Sequence, residues 1–250
     1  MSGLELLTDQ GLRIDGRRAH ELRKIECNLG VFSQADGSAY LEQGNTKVLA
    51  AVYGPHEVRG SRSNALHDQV LINCQYSMAT FSTAERKTRP RGDRKSLEMS
   101  SHLKQTFQAA IKTELYPKSQ IDIFVEVLQA DGGNYSTCVN AATLALIDAG
   151  VPLRDFVCSC TSSLLGDIPL IDVSHAELMG SNPELIVSVL PASGQIVYLS
   201  LNHRLHLDYL TPVLDKAVQG CKDVYNILQA AVRHHVAKRS ASLGITARVS

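Results

Sequence analysis

Residues Gln120 to Gln129 alternate more strictly than any other stretch of the chain: Ile121, Ile123, Val125 and Val127 share one face, and Asp122, Phe124, Glu126 and Leu128 share the other. A period of two with β-branched residues on one side predicts a strand that packs on a core by that side. The strand stops at Ala130-Asp131-Gly132-Gly133, and a helix of small residues is expected from Ser136 to Ala149, closed by Gly150. Strand, glycine turn and helix in succession open a βαβ unit, so the chain must mix both kinds of structure.

The flanking segments carry signals of the same kind. Arg23 to Phe32 reads as a strand, followed by a turn at Asp36-Gly37 and a second strand from Ser38 to Glu42. Beyond Gly44-Asn45, Thr46 to Tyr53 is apolar on both faces, which predicts a central strand ended by Gly54-Pro55. A polar loop, His56 to Asp68, leads to a strand from Gln69 to Ser77. A helix is expected from Ser96 to Leu115, with Met99, Leu103, Phe107, Ala110 and Ile111 three or four residues apart, Asp93 as its N-cap and Pro117 beyond its end. Strands at Phe156 to Leu165, Leu185 to Pro191 and Gln195 to Leu201 precede a long helix from Leu207 to Ser242. The fold class is α+β, in two lobes of mixed sheet and helix. No break in composition divides residues 1–250, so one domain is expected.

Charge excludes a global field as the means of binding nucleic acid, because 25 basic residues balance 25 acidic ones. Attraction to a polyanion must come from a local patch. No basic segment followed by an apolar stretch opens the chain, and no apolar run approaches the roughly 20 residues that span a bilayer, so neither secretion nor membrane insertion is expected. Of the six cysteines, Cys27, Cys74, Cys138, Cys158, Cys160 and Cys221, only Cys158 and Cys160 are close, on one face of a strand. The paired spacing of a zinc site is missing, so buried, reduced thiols are expected and no metal site.

Three constellations could carry chemistry. The loop from Asp131 to Thr137 has two glycines that let backbone approach a ligand, and the following helix offers free amides to an anion, with Ser136 and Thr137 as further donors. A tight turn with a hydroxyl cap explains the same residues. Between Glu85 and Lys95 stand Arg86, Lys87, Arg89, Arg91, Arg94 and Lys95 against Glu85 and Asp93, with Arg59 and Arg62 a smaller basic group nearby. Such density suits contacts to a nucleic-acid backbone, or simply a solvated loop; no aromatic residue is interleaved to stack bases. Asp167 and Asp172 flank Ile168 to Ile171 and could serve as paired acids, or as turn residues beside an edge strand. His234-His235, on a helix, are poorly placed to chelate together.

Several strings occur in order: Arg13-x-Asp15-Gly16-Arg17, Gln34-Ala35-Asp36-Gly37-Ser38-Ala39, Glu42-x-Gly44-Asn45-Thr46-Lys47, Val52-Tyr53-Gly54-Pro55, Phe81-Ser82-Thr83-Ala84-Glu85-Arg86-Lys87 and Val127-Leu128-Gln129-Ala130-Asp131-Gly132-Gly133. Together they resemble the RNase PH superfamily, and within it the branch of eukaryotic RNA exosome ring subunits related to the catalytic subunit of the archaeal exosome. The resemblance is strongest over residues 13–172 and continues weakly through Leu190 to Gly194 and the last helix.

What the resemblance implies is a two-lobed RNase PH-like domain, one of six in a ring around a channel for single-stranded RNA. Active members use inorganic phosphate to release nucleoside diphosphates from RNA 3′ ends. Carried over by motif, the RNA-holding arginine pair falls on Arg94 and Lys95; as a channel subunit the chain would be expected to contribute Arg62 as well to the RNA path. The phosphate loop falls on Gly132, Gly133, Asn134 and Ser136, but its arginine position holds Tyr135, which is neutral at pH 7. The first acidic position matches Asp172, and the second falls on Leu178, beside Glu177. The expectation is therefore a ring subunit without nuclease activity and with no cofactor, the site at Tyr135, Asp172 and Leu178 being vestigial. It would join other RNase PH-like subunits, RNA-binding cap subunits and separate hydrolytic ribonucleases, in nucleus, nucleolus and cytoplasm. The alternative is an active phosphorolytic exoribonuclease in which Arg91 supplies the missing cation.

Overall fold

The alternating segment is an inner strand of a mixed sheet. The structure, a computed structural model, describes residues 6–8, 11–58, 68–86, 92–179 and 182–242. Strands β1 (Ile25–Leu29), β2 (Gly37–Gln43), β3 (Thr46–Glu57), β4 (Leu71–Met78) and β5 (Ser119–Gln129) hydrogen-bond in the order β1-β2-β3-β5-β4. All neighbours are antiparallel except β4 and β5, which are parallel and joined by helix α1 (Arg94–Ala110). That crossover is the βαβ unit. The glycine turn after β5 leads instead through α2 (Asn134–Asp148) into a second, antiparallel sheet. Its strands β6 (Cys158–Leu165), β7 (Ile168–Ile171), β8 (Glu184–Leu190) and β9 (Gln195–Asn202) run in the order β7-β6-β8-β9. A single turn, α3 (His175–Leu178), separates β7 from β8, and α4 (Leu207–Ser242) ends the described chain.

The layers follow from the composition of α2. Tyr135 to Leu146 are all buried, because the helix packs on β2, β3 and β5 on one side and on β6 and β8 on the other. Alanine, serine and threonine let both sheets approach, and the polar side chains are satisfied locally. Asn140 donates to the Ser159 carbonyl at 3.0 Å and accepts its N–H at 2.8 Å, and Thr143 donates to the Val157 carbonyl at 2.9 Å. Helix α4 covers the far face of the second sheet, where a Cβ on Gly220 would lie 2.8 Å from the Cys160 sulfur. The two lobes thus share one buried cluster that runs through α2.

Helix α2 and strand β2 leave no room for a side chain at Gly37, where a Cβ would lie 2.3 Å from the Ala145 carbonyl oxygen and from the Ala149 nitrogen. Backbone on both sides cannot rotate away. Gly37→Ala is expected to lower stability by about 1–3 kcal/mol through overpacking, read as a fall in the urea midpoint at unchanged slope.

Three sequence expectations are corrected. Strand β3 does not end at Gly54-Pro55 but continues to Glu57: a register shift between Tyr53 and His56 absorbs the pair, and the Gly54 N–H donates to Asp36 at 2.8 Å. The same strand is central, yet only its Val48, Ala50 and Val52 face is buried; Leu49 and Ala51 are half-buried and Tyr53 exposed, since helices cover one side of this sheet only. Helix α1 stops at Ala110, not Leu115, because Ile111 turns into extended backbone, bridges to Leu153 and is fully buried there. Five of the cysteines are buried, and Cys27 is half-buried.

Candidate nucleic-acid interface

The parallel pairing of β4 and β5 decides where the basic and glycine-rich segments meet. Val127 stands beside Met78, so the carboxyl ends of both strands lie at one edge. Helix α1 runs back along β4: the Val70 N–H donates to the Thr113 carbonyl at 3.0 Å, and the Tyr76 N–H to Ser100 Oγ at 2.9 Å. Its amino end therefore returns to the edge where the loop after β5 begins. Ligands favour this place, outside the carboxyl ends of parallel strands.

Arg94 and Lys95 open α1 and are exposed, with Asp93 capping the helix by accepting the Arg94 N–H at 2.8 Å. Arg86 is exposed at the start of the basic segment. Arg62, Arg59, Lys87, Arg89 and Arg91 lie outside the described residues.

The glycine loop is tightly built. Gly132 (φ +84°) has no room for a side chain, since a Cβ would lie 2.6 Å from the Val173 carbonyl oxygen and 2.8 Å from the His175 nitrogen. Its carbonyls turn inward. Arg23 donates to Asp131 O at 2.9 Å, Thr46 Oγ1 to Gly132 O at 2.9 Å, and both Ser136 and Thr137 hydroxyls to Gly133 O at 2.7 and 2.9 Å. Both hydroxyls are fully buried and donate back into the turn, so they brace it and do not face a ligand; the N-cap of α2 is Gly133, which brings no side chain. Asn134 stays half-buried at the opening, where the first amides of α2 have no intrahelical acceptor.

Tyr135 points away from this opening. It is 3% exposed, packs on the Tyr198 ring at 4.8 Å and meets Thr106 Oγ1 at 3.0 Å through its hydroxyl. Burial pushes that hydroxyl's pKa up, so the group is neutral at pH 7.

The acids are equally committed. Asp172 is fully buried, at φ +53°, a strained value for a non-glycine residue. Its Oδ1 accepts Arg23 Nη2 at 2.7 Å and Nε at 3.0 Å, and its Oδ2 accepts the Arg23 N–H at 2.8 Å. Arg13 and Arg17 donate to its carbonyl at 2.9 and 3.2 Å. Burial alone would raise the carboxyl, but the charge and hydrogen bonds of Arg23 outweigh it and hold the pKa below the ordinary value. Glu177 accepts Arg13 Nε at 2.6 Å and the Ser174 N–H at 2.8 Å, closing a capping box on α3, and is depressed in the same way despite burial. Both of its carboxylate oxygens are thus committed to the fold; Leu178 beside it is half-buried. Asp167 lies apart from Asp172, exposed and accepting the Tyr209 hydroxyl at 2.8 Å.

Arg13, Arg17 and Arg23 fasten the amino-terminal segment to β7 and α3. In the sequence, Arg13 and Arg17 stand in a family motif with no role to read from it, and Arg23 stands in none. Four arginines within eleven residues of a neutral chain, these three and Arg18, were the available signal.

An exposed cationic helix end thus stands beside a glycine turn on a two-sheet α+β scaffold. Residues 21–152 match the RNase PH model, described as the 3′ exoribonuclease family, domain 1, and the chain belongs to that family. It is 62% identical to mouse "Exosome complex component RRP41" over 98% of this chain and all of that protein. Rice Rrp46 shares the fold at a TM-score of 0.78 and 21% identity, covering 88% of this chain and 99% of that one. A chain of the Archaeoglobus fulgidus exosome with RNA bound to the active site does so at 0.75 and 22%, covering 87% of this chain and 92% of that one.

Proposed function

We propose that this chain is a ring subunit of an RNA exosome that guides single-stranded RNA and does not itself cleave it. The observation that carries this reading is Tyr135: the position where active relatives carry the phosphate-binding arginine is occupied by a neutral side chain buried against Tyr198. Phosphorolysis must hold a phosphate anion beside an anionic backbone, and without a clamping cation that repulsion is uncompensated. Arg23, the guanidinium beneath the loop, is already paired with Asp172. The name of the mouse relative and the described fold support membership of an exosome ring. Other RNase PH-like subunits, RNA-binding cap subunits and attached hydrolytic ribonucleases are the partners this role requires, and nucleus, nucleolus and cytoplasm are the compartments proposed. Among the described residues, no helix is long and apolar enough to cross a membrane.

The test is release of nucleoside diphosphates from RNA, with and without phosphate, by the chain and by its assembled complex. No phosphate-dependent release is expected from either, and none from Tyr135→Arg alone, because Leu178 still occupies the second acidic position. Phosphate-dependent release by the unmodified chain would overturn the non-catalytic reading. Asp172→Asn is a poor probe of activity, since the fold uses that carboxylate.

A further inference from the structure

We infer that Phe81 is a base-stacking residue for single-stranded RNA, standing at the same edge as the cations of α1; the inference rests on the RNA-guiding role proposed above. The ring is 72% exposed, whereas Ala79 and Ser82 on either side are 6% and 3% exposed. A tight turn holds it out: the Ser82 N–H donates to the Ala79 carbonyl at 3.0 Å. The turn is itself fastened to β5, with the Ala79 N–H on the Val127 carbonyl and the Ala130 N–H on the Ser82 carbonyl, both at 2.9 Å. Phe81 therefore sits on a fixed pedestal, next to the start of the glycine loop.

A single exposed apolar residue means little by itself. Its surroundings select the occupant. The carboxyl ends of β4 and β5 and the amino end of α1 converge here, and Arg86, Arg94 and Lys95 are exposed without an ion pair among the described residues. Unpaired cations call for a polyanion, and a rigid, solvent-facing ring calls for a flat apolar surface on the same molecule. A single-stranded nucleic acid offers both, phosphates along its backbone and unstacked base faces, whereas a duplex hides the faces. Stacking tolerates any base, which suits a channel that must pass every sequence. The basic segment alone, with no aromatic residue between Glu85 and Lys95, reads as tracking phosphates only; the turn returns an aromatic residue from just outside it to the same edge.

The experiment compares the assembled ring carrying wild-type chain, Phe81→Ala or Phe81→Trp, titrated with oligouridylate, oligoadenylate and an abasic ribose-phosphate strand of equal length. Phe81→Ala is expected to weaken both base-bearing strands about fivefold or more, with an unchanged salt slope, while Phe81→Trp retains binding. The abasic strand should bind all three assemblies alike. Equal affinity of wild type and Phe81→Ala for base-bearing RNA, in an assembly that still binds RNA, would overturn the stacking role and leave the RNA-guiding role standing. Failure of Phe81→Ala to assemble would assign the aromatic side chain to a protein interface instead and likewise overturn it. A wild-type assembly that binds no RNA would remove the RNA-guiding role itself.

Discussion

Replacing Arg23 with methionine is expected to lower the unfolding free energy by about 3–5 kcal/mol, the range seen when one partner of a buried ion pair is removed. The guanidinium is 6% exposed and meets Asp172 through Nη2 at 2.7 Å; Nη1 donates to the Asp131 carbonyl of the glycine loop, and Nη2 also to the Gly132 carbonyl. Methionine fills much of the volume but leaves a carboxylate buried at a residue whose backbone is already strained. The pH dependence separates this from a packing defect. In the native chain Asp172 titrates below its ordinary value of 3.8, so its contribution is complete above that value and disappears as pH falls through the depressed one. Without the Arg23 guanidinium, burial loses its largest opponent and moves the carboxyl upward, so the variant's deficit grows as pH rises above the ordinary value. The gap between native chain and Arg23→Met should therefore be wide at pH 7 and narrow toward pH 4, in urea unfolding followed by circular dichroism. Arg23→Met with Asp172→Asn should recover part of the loss, as a double-mutant cycle measures. A gap independent of pH would show that the pair is not what the segment loses.

Reversing Arg94 and Lys95 to glutamate together is the second large effect. Both are exposed at the amino end of α1, so the substitutions disturb little of the core, and glutamate in the first helical turn is favourable to the helix itself. Stability should hold while RNA binding by the assembled ring falls. Removing one cation from a phosphate should flatten the dependence of log affinity on log salt by about 0.7 for a single strand, so about 1.4 for the pair. Fluorescence anisotropy of a labelled single strand across a potassium chloride titration reads affinity and slope together. Feeding of RNA to an attached nuclease should slow in parallel. Native affinity and slope in the double variant would remove these residues from the RNA path.

These two variants divide the cations of the chain into buried, paired ones and exposed ones, a division invisible in composition. Arg13 and Arg23 look as available as Arg94 and Lys95 when read along the chain. They are buried because Glu177 stands 164 positions from Arg13, and Asp172 stands 149 from Arg23, across the join between the two sheets.

What the sequence determined by itself is whatever neighbouring residues decide. The alternation of Ile121, Ile123, Val125 and Val127 set the strand β5, the last segment from about Leu207 read as the long helix α4, Asp93 announced the start of α1, and the ordered strings from Arg13 to Gly133 announced the family. Periodicity and capping are interactions over four residues or fewer, so they survive in a linear reading. The tertiary structure alone decided which face of β3 is covered, that Ile111 leaves the helix to pair with Leu153, that Tyr135 turns inward onto Tyr198, and that Ser136 and Asp172 serve the fold. It also brought Phe81, Arg94 and the glycine loop to one edge, through the parallel pairing of β4 with β5. Each of these depends on elements packed from distant parts of the chain. Burial and charge pairing are set by that packing, and local propensity carries no record of it.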